Sequence, residues 1–375
     1  MARAEFRGLR HRTLNAVLRG VARSRRLLSQ LVRLEARLHD PASVEGVSPG
    51  DLDELLLLGI GTINSEWEGA LTLWARRHGL PVMHLVGNYD NLSSKGFRGV
   101  DVDRLLVWGP NMRADAMRLH GIPADRIRMI GAIRYNGIHR VLEGREAFLR
   151  SIGLDPARPT ILFAGFMLEF HYFEMLSIFE EAVKAGEPWQ LILRVYPSKA
   201  LMHSVYIHPL LAYARSLPGV YVSLADPHAR MGVRDREVLQ IEERELWNAL
   251  NSCDALVNLF STISLEGCIF GKPVVNMWYF PRPVKAMGRP PIYMDYAQNF
   301  HNRRIVSYGA IRTAYGRREL TEMIRHALAN PAELAEARRA TVRDECGVLD
   351  GKAAERLAEA CIDEYQATQN TRRAG

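Results

Sequence analysis

Cysteine is scarce. Four occur in 375 residues, at Cys253, Cys268, Cys346 and Cys361, and no two form a C-x-x-C pair. The pattern indicates neither a zinc site nor a disulfide framework and leaves reduced thiols in a cytoplasmic protein as the expectation. Long apolar runs are missing as well. The strongest, Leu55 to Ile60, is strand-sized, whereas a membrane span needs about 20 residues. Arginines interrupt the apolar residues near the start of the chain, so no compact apolar segment of a secretory signal is present. A soluble or peripheral protein is expected.

Acidic residues are few among the first forty, where Glu5, Glu35 and Asp40 face ten arginines. That stretch holds the whole formal net charge of +7, and the remaining residues balance. A local stripe argues against a protein that coats nucleic acid, and no nucleic-acid partner is expected. The same Arg-rich, acid-poor composition is found in organelle transit peptides, although no cleavage site marks this one. Gly131 and Gly137 do not make a G-x-G-x-x-G loop, and no P-loop is present. Fixed-period repeats and low-complexity tracts are absent.

What is present is a change of pattern along the chain. In residues 1–40, Leu14, Val17, Leu18, Val21, Leu28, Leu31, Val32 and Leu38 recur at spacings of three and four. That period predicts amphipathic helix, and 41–50 reads as a loop. From Leu55 onward, short apolar runs alternate with helical segments: strands over 55–58, 82–86, 105–108 and 127–130, with helices over 66–78 and 112–120. A second series gives strands over 161–164, 191–195, 220–224, 255–259 and 274–277. Helices alternate with them, and more helices close the chain over 319–329, 332–345 and 353–366. Alternation of this kind predicts an α/β protein of two Rossmann-like halves, each a parallel sheet covered by helices, facing a cleft. The expected divisions are 1–50, 51–150, 151–345 and 346–375, with the turn Leu154-Asp155-Pro156-Ala157-Arg158-Pro159 as linker.

The most informative stretch runs from Phe260-Ser261-Thr262-Ile263-Ser264-Leu265-Glu266 to Gly271-Lys272-Pro273. A buried strand ends there and a hydroxyl-rich turn opens a helix, whose first amides can take a phosphate. Ser261, Thr262 and Ser264 add hydroxyls, and Glu266 can accept from a ribose diol. The plainer reading is that Ser261 or Thr262 caps the helix and Glu266 completes a capping box. Arg194 and Lys199 follow another strand of the same half, where parallel sheets bind ligands. They can converge on a pyrophosphate or belong to a solvated loop. Gly165, ending the first strand of that half, either admits a ligand to the backbone or turns the chain.

In the first half, Gly87-Asn88-Tyr89-Asp90-Asn91-Leu92-Ser93-Ser94-Lys95-Gly96 ends a strand with a dense polar cluster. Asp90 is a candidate general base and Lys95 a candidate anion contact, although turns also favour Asn, Asp and Ser. Glu66 and Glu68 can reach the same cleft or simply complement their helix dipole. His171 and His301 are candidate acid, base or phosphate contacts, each with a structural alternative. The D-x-D spellings at Asp51-Leu52-Asp53 and Asp101-Val102-Asp103 precede strands, and no metal is inferred from them.

Residues 51–368 resemble the nucleotide-sugar glycosyltransferases of the GT-B fold, in particular bacterial surface-polysaccharide enzymes. These in turn are similar to CDP-glycerol glycerophosphotransferases and UDP-N-acetylglucosamine 2-epimerases. The resemblance rests on Asp90 to Gly96; on Val107-Trp108-Gly109 through His120-Gly121-Ile122-Pro123 to Ile130-Gly131-Ala132; on Ser261 to Pro273; and on Asp350-Gly351-Lys352-Ala353-Ala354-Glu355-Arg356. It implies sugar transfer from a nucleotide diphosphate, with UDP-linked donors expected, to a surface glycan or lipid-linked acceptor, without a metal or other cofactor. Polyol-phosphate transfer, sugar-nucleotide epimerisation and a non-catalytic binding subunit are the alternatives. The implied donor set is Gly165, Arg194, Lys199, Ser261, Thr262, Ser264 and Glu266. The catalytic set is Asp90, Glu66 and His171, and the acceptor set is Asn88, Asn91, Lys95 and His301. Ser261-Thr262 replaces the epimerases' glycine pair, Tyr196 replaces the glycerophosphotransferases' His, and the family's opening βα units have no counterpart before Leu55. The arginine stripe suits the anionic inner leaflet, which makes a peripheral membrane protein the expectation; the alternative is packing of its apolar side on the first half.

Overall fold

A computed structural model describes residue 30 and residues 55–60, 66–94, 102–166, 168–196, 199–224, 236–279 and 299–374. The reading of residues 1–50 as amphipathic helix and loop lies outside these, Gln30 apart, as does Lys95; the side chains of Glu66, Trp67 and Lys199 are likewise outside the description. The chain divides into two compact units, residues 1–130 with 354–375, and residues 131–353.

The first unit holds a parallel sheet of β1 (Leu56–Ile60), β2 (Val82–Val86), β3 (Arg104–Val107) and β4 (Ile127–Met129) in sequential order. Helices α1 (Glu66–Arg77) and α2 (Pro110–His120) connect them. The β2 run Val-Met-His-Leu-Val is buried almost throughout, as expected of a strand covered on both faces. Pro110 opens α2, where its missing N–H costs nothing. Gly121 closes it at φ 69°, with its own amide on Met117 O and that of Ile122 on Ala116 O, the paired bonds of a left-handed cap. The last helix, α11 (Ala353–Ala374), belongs to this unit from Ala354 onward. Ala360 packs with Met83, Leu106 and Ile130, the Arg356 Nε–H donates to Ile130 O at 2.8 Å, and Arg104 pairs with Glu364 at 2.9 Å.

The second unit begins with α3 (Arg145–Ser151) and builds a six-stranded parallel sheet. Its first half runs β5 (Thr160–Ala164), α4 (Glu169–Lys184), β6 (Gln190–Val195), α5 (Ile207–Ser216), β7 (Val220–Leu224) and α6 (Arg236–Ser252). Its second half runs β8 (Ala255–Asn258), α7 (Ile263–Ile269), β9 (Val274–Met277), α8 (Phe300–Ser307), β10 (Ile311–Ala314), α9 (Arg317–Ala329) and α10 (Ala335–Cys346). The strand order is β10-β9-β8-β5-β6-β7. The chain therefore winds outward from β5 in one direction, then returns and winds outward from β8 in the other. The core on one face joins Ile161, Phe163, Leu191, Leu193, Val257 and Val275 to Tyr172, Met175 and Phe179 of α4 and to Leu320 and Ile324 of α9.

Three boundaries differ from expectation. The division falls at Gly131 and not beyond residue 150, because the 143–159 stretch is bonded into the second unit. Glu143 N–H donates to Asn248 Oδ1 at 2.6 Å, Arg145 pairs with Asp254 at 2.8 Å, and Asp155 N–H donates to Gln190 Oε1 at 2.7 Å. Strand β10 and helix α8 have no counterpart in the predicted elements: β10 is four residues at a sheet edge, two of them the polar Arg312 and Thr313. Helix α6 begins ten residues before the helix that periodicity predicts over 246–252, through a stretch dominated by charge.

Candidate functional site

In open parallel sheets, ligands bind outside the carboxyl ends of the strands where the winding direction reverses. Here that point lies between β5 and β8, at Gly165-Phe166 and at the turn from Leu259 to Thr262. A row of register partners crosses the sheet at this level: Thr313, Asn276, Asn258, Ala164, Arg194 and Ser223. Partners in a parallel ladder share a face, so six strands present one polar line interrupted only by Ala164. Asn276, Asn258, Arg194 and Ser223 are all buried. Buried polar groups of this density cost stability unless bonded, and most are.

The row holds the turn after β8. Ser264 Oγ donates to Asn258 Oδ1 at 2.8 Å and lies 3.2 Å from Asn276 Oδ1, while the amide of Phe260 points at Asn276 Oδ1 at 3.4 Å. Phe260 itself adopts φ 46°, a left-handed conformation that costs a bulky residue about 1–3 kcal/mol and is concentrated at functional turns. Its ring meets Trp278 edge to face at 4.9 Å. Ser261 and Thr262 sit at the lip of this turn, half-buried, and the Ser261 hydroxyl makes no hydrogen bond to the described residues.

Glu266, one turn further, is 2% exposed. Tyr135 Oη donates to its Oε1 at 3.1 Å, and Arg134 Nε lies 3.7 Å from the same oxygen. The capping-box reading is not what forms, since the residue sits within the helix bonded to a distant segment. Arg194 does not converge with Ser261. It is buried, donates to Ser223 Oγ at 2.6 Å and faces Glu245 of α6 at 3.7 Å. Two strand spacings, about 10 Å, separate its place in the row from Asn258. Gly165 does not face open space on the side a Cβ would occupy, because the Tyr172 ring lies against it.

The two candidate histidines are both buried. His171 lies in the first turn of α4, 1% exposed and stacked near Phe170, and burial lowers its pKa to about 3. A neutral imidazole in that setting supplies no positive charge to a phosphate and no proton at neutral pH. His301 is buried in the first turn of α8, in the second unit, where the expected divisions place it.

In the first unit, the loop after β2 forms a single helical turn, Asn91–Ser94. Asn91 Oδ1 accepts from Asn88 N–H, Asn88 Oδ1 accepts from Tyr89 N–H at 3.0 Å, and His120 Nε2 contacts Leu92 O at 2.7 Å. Both amide side chains thus shape their own turn, the local bonding that favours Asn there. Asp90 caps the turn, its Oδ2 accepting from Ser94 Oγ at 2.8 Å. Among the described residues, no three His, Cys, Asp or Glu side chains converge as metal ligands, and no helix is long and apolar enough to cross a membrane.

No protein-family model matches the chain, and no curated protein matches it. Solved structures do. The UDP-GlcNAc 2-epimerase of Neisseria meningitidis, bound to UDP-GlcNAc, aligns with 89% of this chain and 80% of its own at a TM-score of 0.53 and 14% identity. The S. aureus MnaA–UDP co-structure aligns with 88% of this chain and 75% of its own, at 0.52 and 12%. The fold is GT-B. Within the GT-B second unit, the donor residues named from sequence divide in two. Ser261, Thr262, Ser264 and Glu266 gather at one turn, while Arg194 and Gly165 serve the sheet and α4. Sequence reasoning missed Asn258, Asn276, Ser223, Arg134 and Tyr135. An Asn ending two successive apolar strand runs was a readable signal for the first two; the others become neighbours only through the register and the 133–135 turn.

Proposed function

We propose that this chain is a glycosyltransferase that moves a sugar from a nucleotide diphosphate, a UDP-sugar, to a hydroxyl of a surface polysaccharide or lipid-linked acceptor. The observation that carries the reading is the turn after β8: strained at Phe260, anchored on Asn258 and Asn276, and presenting the uncommitted Ser261 hydroxyl at the sheet's switch point. A nucleotide sugar held by the Neisseria neighbour supports a ligand of that class. In this reading Ser261 and Thr262 receive the diphosphate, Glu266 accepts from the ribose, and Arg194 supplies fixed positive charge from within the sheet. Asp90, with Glu66, takes the proton of the acceptor hydroxyl as its oxygen bonds to the sugar's anomeric carbon and the bond to the diphosphate breaks. Lys95 and Lys199 are assigned to anionic groups. The arginine stripe of residues 1–40 holds the protein to the anionic inner leaflet.

Incubation with a panel of nucleotide sugars, with and without lipid-linked and glycan acceptors, tests the reading. UDP release that depends on acceptor supports it. A changed sugar without acceptor makes the chain an epimerase instead, and binding without turnover makes it a binding subunit. Asp90→Asn is expected to lower turnover by about 100-fold or more while leaving UDP affinity unchanged.

A further inference from the structure

Glu266 is a buried acid whose two oxygens are treated unequally. Oε1 accepts a hydrogen bond from Tyr135 Oη at 3.1 Å and faces the Arg134 guanidinium, whose Nε lies 3.7 Å away without a hydrogen bond. Arg134 is itself held, with Nη2 3.3 Å from Glu243 Oε1 on α6. Tyr135 is 3% exposed and ends a short 3-10 turn, Ile133–Tyr135, so its ring has no freedom to follow a moving partner. Oε2, by contrast, makes no hydrogen bond to the described residues. Oε2 is not closed off from solvent, so it needs no protein partner, and a ligand hydroxyl can take the place of water there. A carboxylate pinned through one oxygen and open at the other is an acceptor with a set direction.

We propose that Tyr135, assisted by Arg134, is a positioning residue that orients Glu266 toward the ribose hydroxyls of the donor. The inference rests on the donor reading above and adds what makes Glu266 selective. A long carboxylate side chain left to itself would lose rotamer freedom on every binding event; fixed in advance, it does not. The Tyr135 hydroxyl touches no ligand and acts only through Glu266.

The test compares equilibrium binding of UDP and 2′,3′-dideoxy-UDP to the full chain by calorimetry. The wild-type protein is expected to prefer UDP by about tenfold or more, the value of one or two hydrogen bonds to a charged acceptor. In Tyr135→Phe, UDP affinity falls by about tenfold while dideoxy-UDP affinity stays within about twofold, so the preference collapses. Glu266→Gln, which still accepts from Tyr135, loses the preference in the same way. Equal weakening of both ligands in Tyr135→Phe would mark a merely structural tyrosine and overturn the proposal, as would no change in either. A wild-type protein that binds UDP and dideoxy-UDP alike overturns it while leaving the donor reading intact. Failure of the wild type to bind UDP removes the donor reading and this inference with it. Should Tyr135→Phe not fold, Arg134→Gln removes the second contact to Oε1. A reduced preference for UDP in that variant supports the proposal, and an unchanged one overturns it.

Discussion

The ring of Tyr172 occupies the space that a side chain at residue 165 would need: a Cβ on Gly165 would lie 2.2 Å from Cζ and 2.5 Å from Oη. The same hydroxyl donates to Phe166 O at 3.0 Å and accepts from Tyr196 N–H at 2.9 Å, tying the carboxyl ends of β5 and β6 together. Gly165→Ala therefore either expels the ring or bends the strand end, and both bonds weaken. A loss of about 2–4 kcal/mol is expected, from overpacking plus two buried bonds. Tyr172→Phe, which keeps the packing, is expected to lose about half as much. Urea denaturation of the two variants checks the ratio.

His171 makes stability fall on acidification. Burial lowers its pKa to about 3, against an ordinary value near 6.5. Above pH 6.5 neither folded nor unfolded chain protonates it. Between 6.5 and 3 the unfolded chain binds the proton and the folded one does not, so stability declines as pH falls, by up to about 1.4 kcal/mol per pH unit. Below 3 both states carry the proton and the decline from this group ends. Replacing the imidazole by an uncharged amide in His171→Gln is expected to flatten the slope between pH 6 and 4, whatever the variant does to stability at pH 7. An unchanged slope would place the titration elsewhere.

The fold was legible because both sheets are parallel and buried. Runs such as 82–86 and 191–195 are apolar but for His84 and Arg194, and helical periodicity separates them, so α/β architecture follows from pattern alone. Strand β10 was not legible, since Arg312 and Thr313 interrupt a four-residue run whose pairing depends on β9 and not on local preference. The turn after β8 was legible as a site because its hydroxyls are adjacent in sequence. Its supports were not. Asn258 and Asn276 meet only through strand register, and Tyr135 reaches Glu266 across 131 positions. Arg194 was half legible for the same reason: sequence places it at the correct end of β6 but does not say that it bonds Ser223 and faces Glu245.

Helix α11 packs on the first unit through a small residue. Ala360, 2% exposed, sits with Met83, Leu106 and Ile130, whereas Ile362 two positions on is 54% exposed. Ala360→Glu would bury a carboxylate with no partner against that apolar group and is expected to cost about 3 kcal/mol or more. Ile362→Glu changes surface only and is expected to stay within about 0.5 kcal/mol. Limited proteolysis reports the difference directly: Ala360→Glu should open cleavage within residues 55–130 at temperatures where the Ile362→Glu protein resists it.

Ser264 and Ser261 lie three residues apart on one turn and are expected to fail in opposite ways. Ser264 Oγ lies between Asn258 Oδ1 and Asn276 Oδ1, so Ser264→Ala leaves these buried acceptors only the long amide contacts from Ser261 and Phe260 and costs about 1–2 kcal/mol. The Ser261 hydroxyl has no partner among the described residues, and removing it in Ser261→Ala should leave stability within about 0.5 kcal/mol. Donor binding should reverse that order of sensitivity relative to stability: Ser261→Ala loses about fivefold to tenfold in UDP affinity, one hydrogen bond to a charged ligand, in a protein as stable as the wild type. Thermal unfolding and calorimetry on the same preparations separate the two. Unaltered UDP affinity in Ser261→Ala would detach this turn from the diphosphate, and a stability loss there equal to that of Ser264→Ala would mean the hydroxyl is held by the fold and not kept for a ligand.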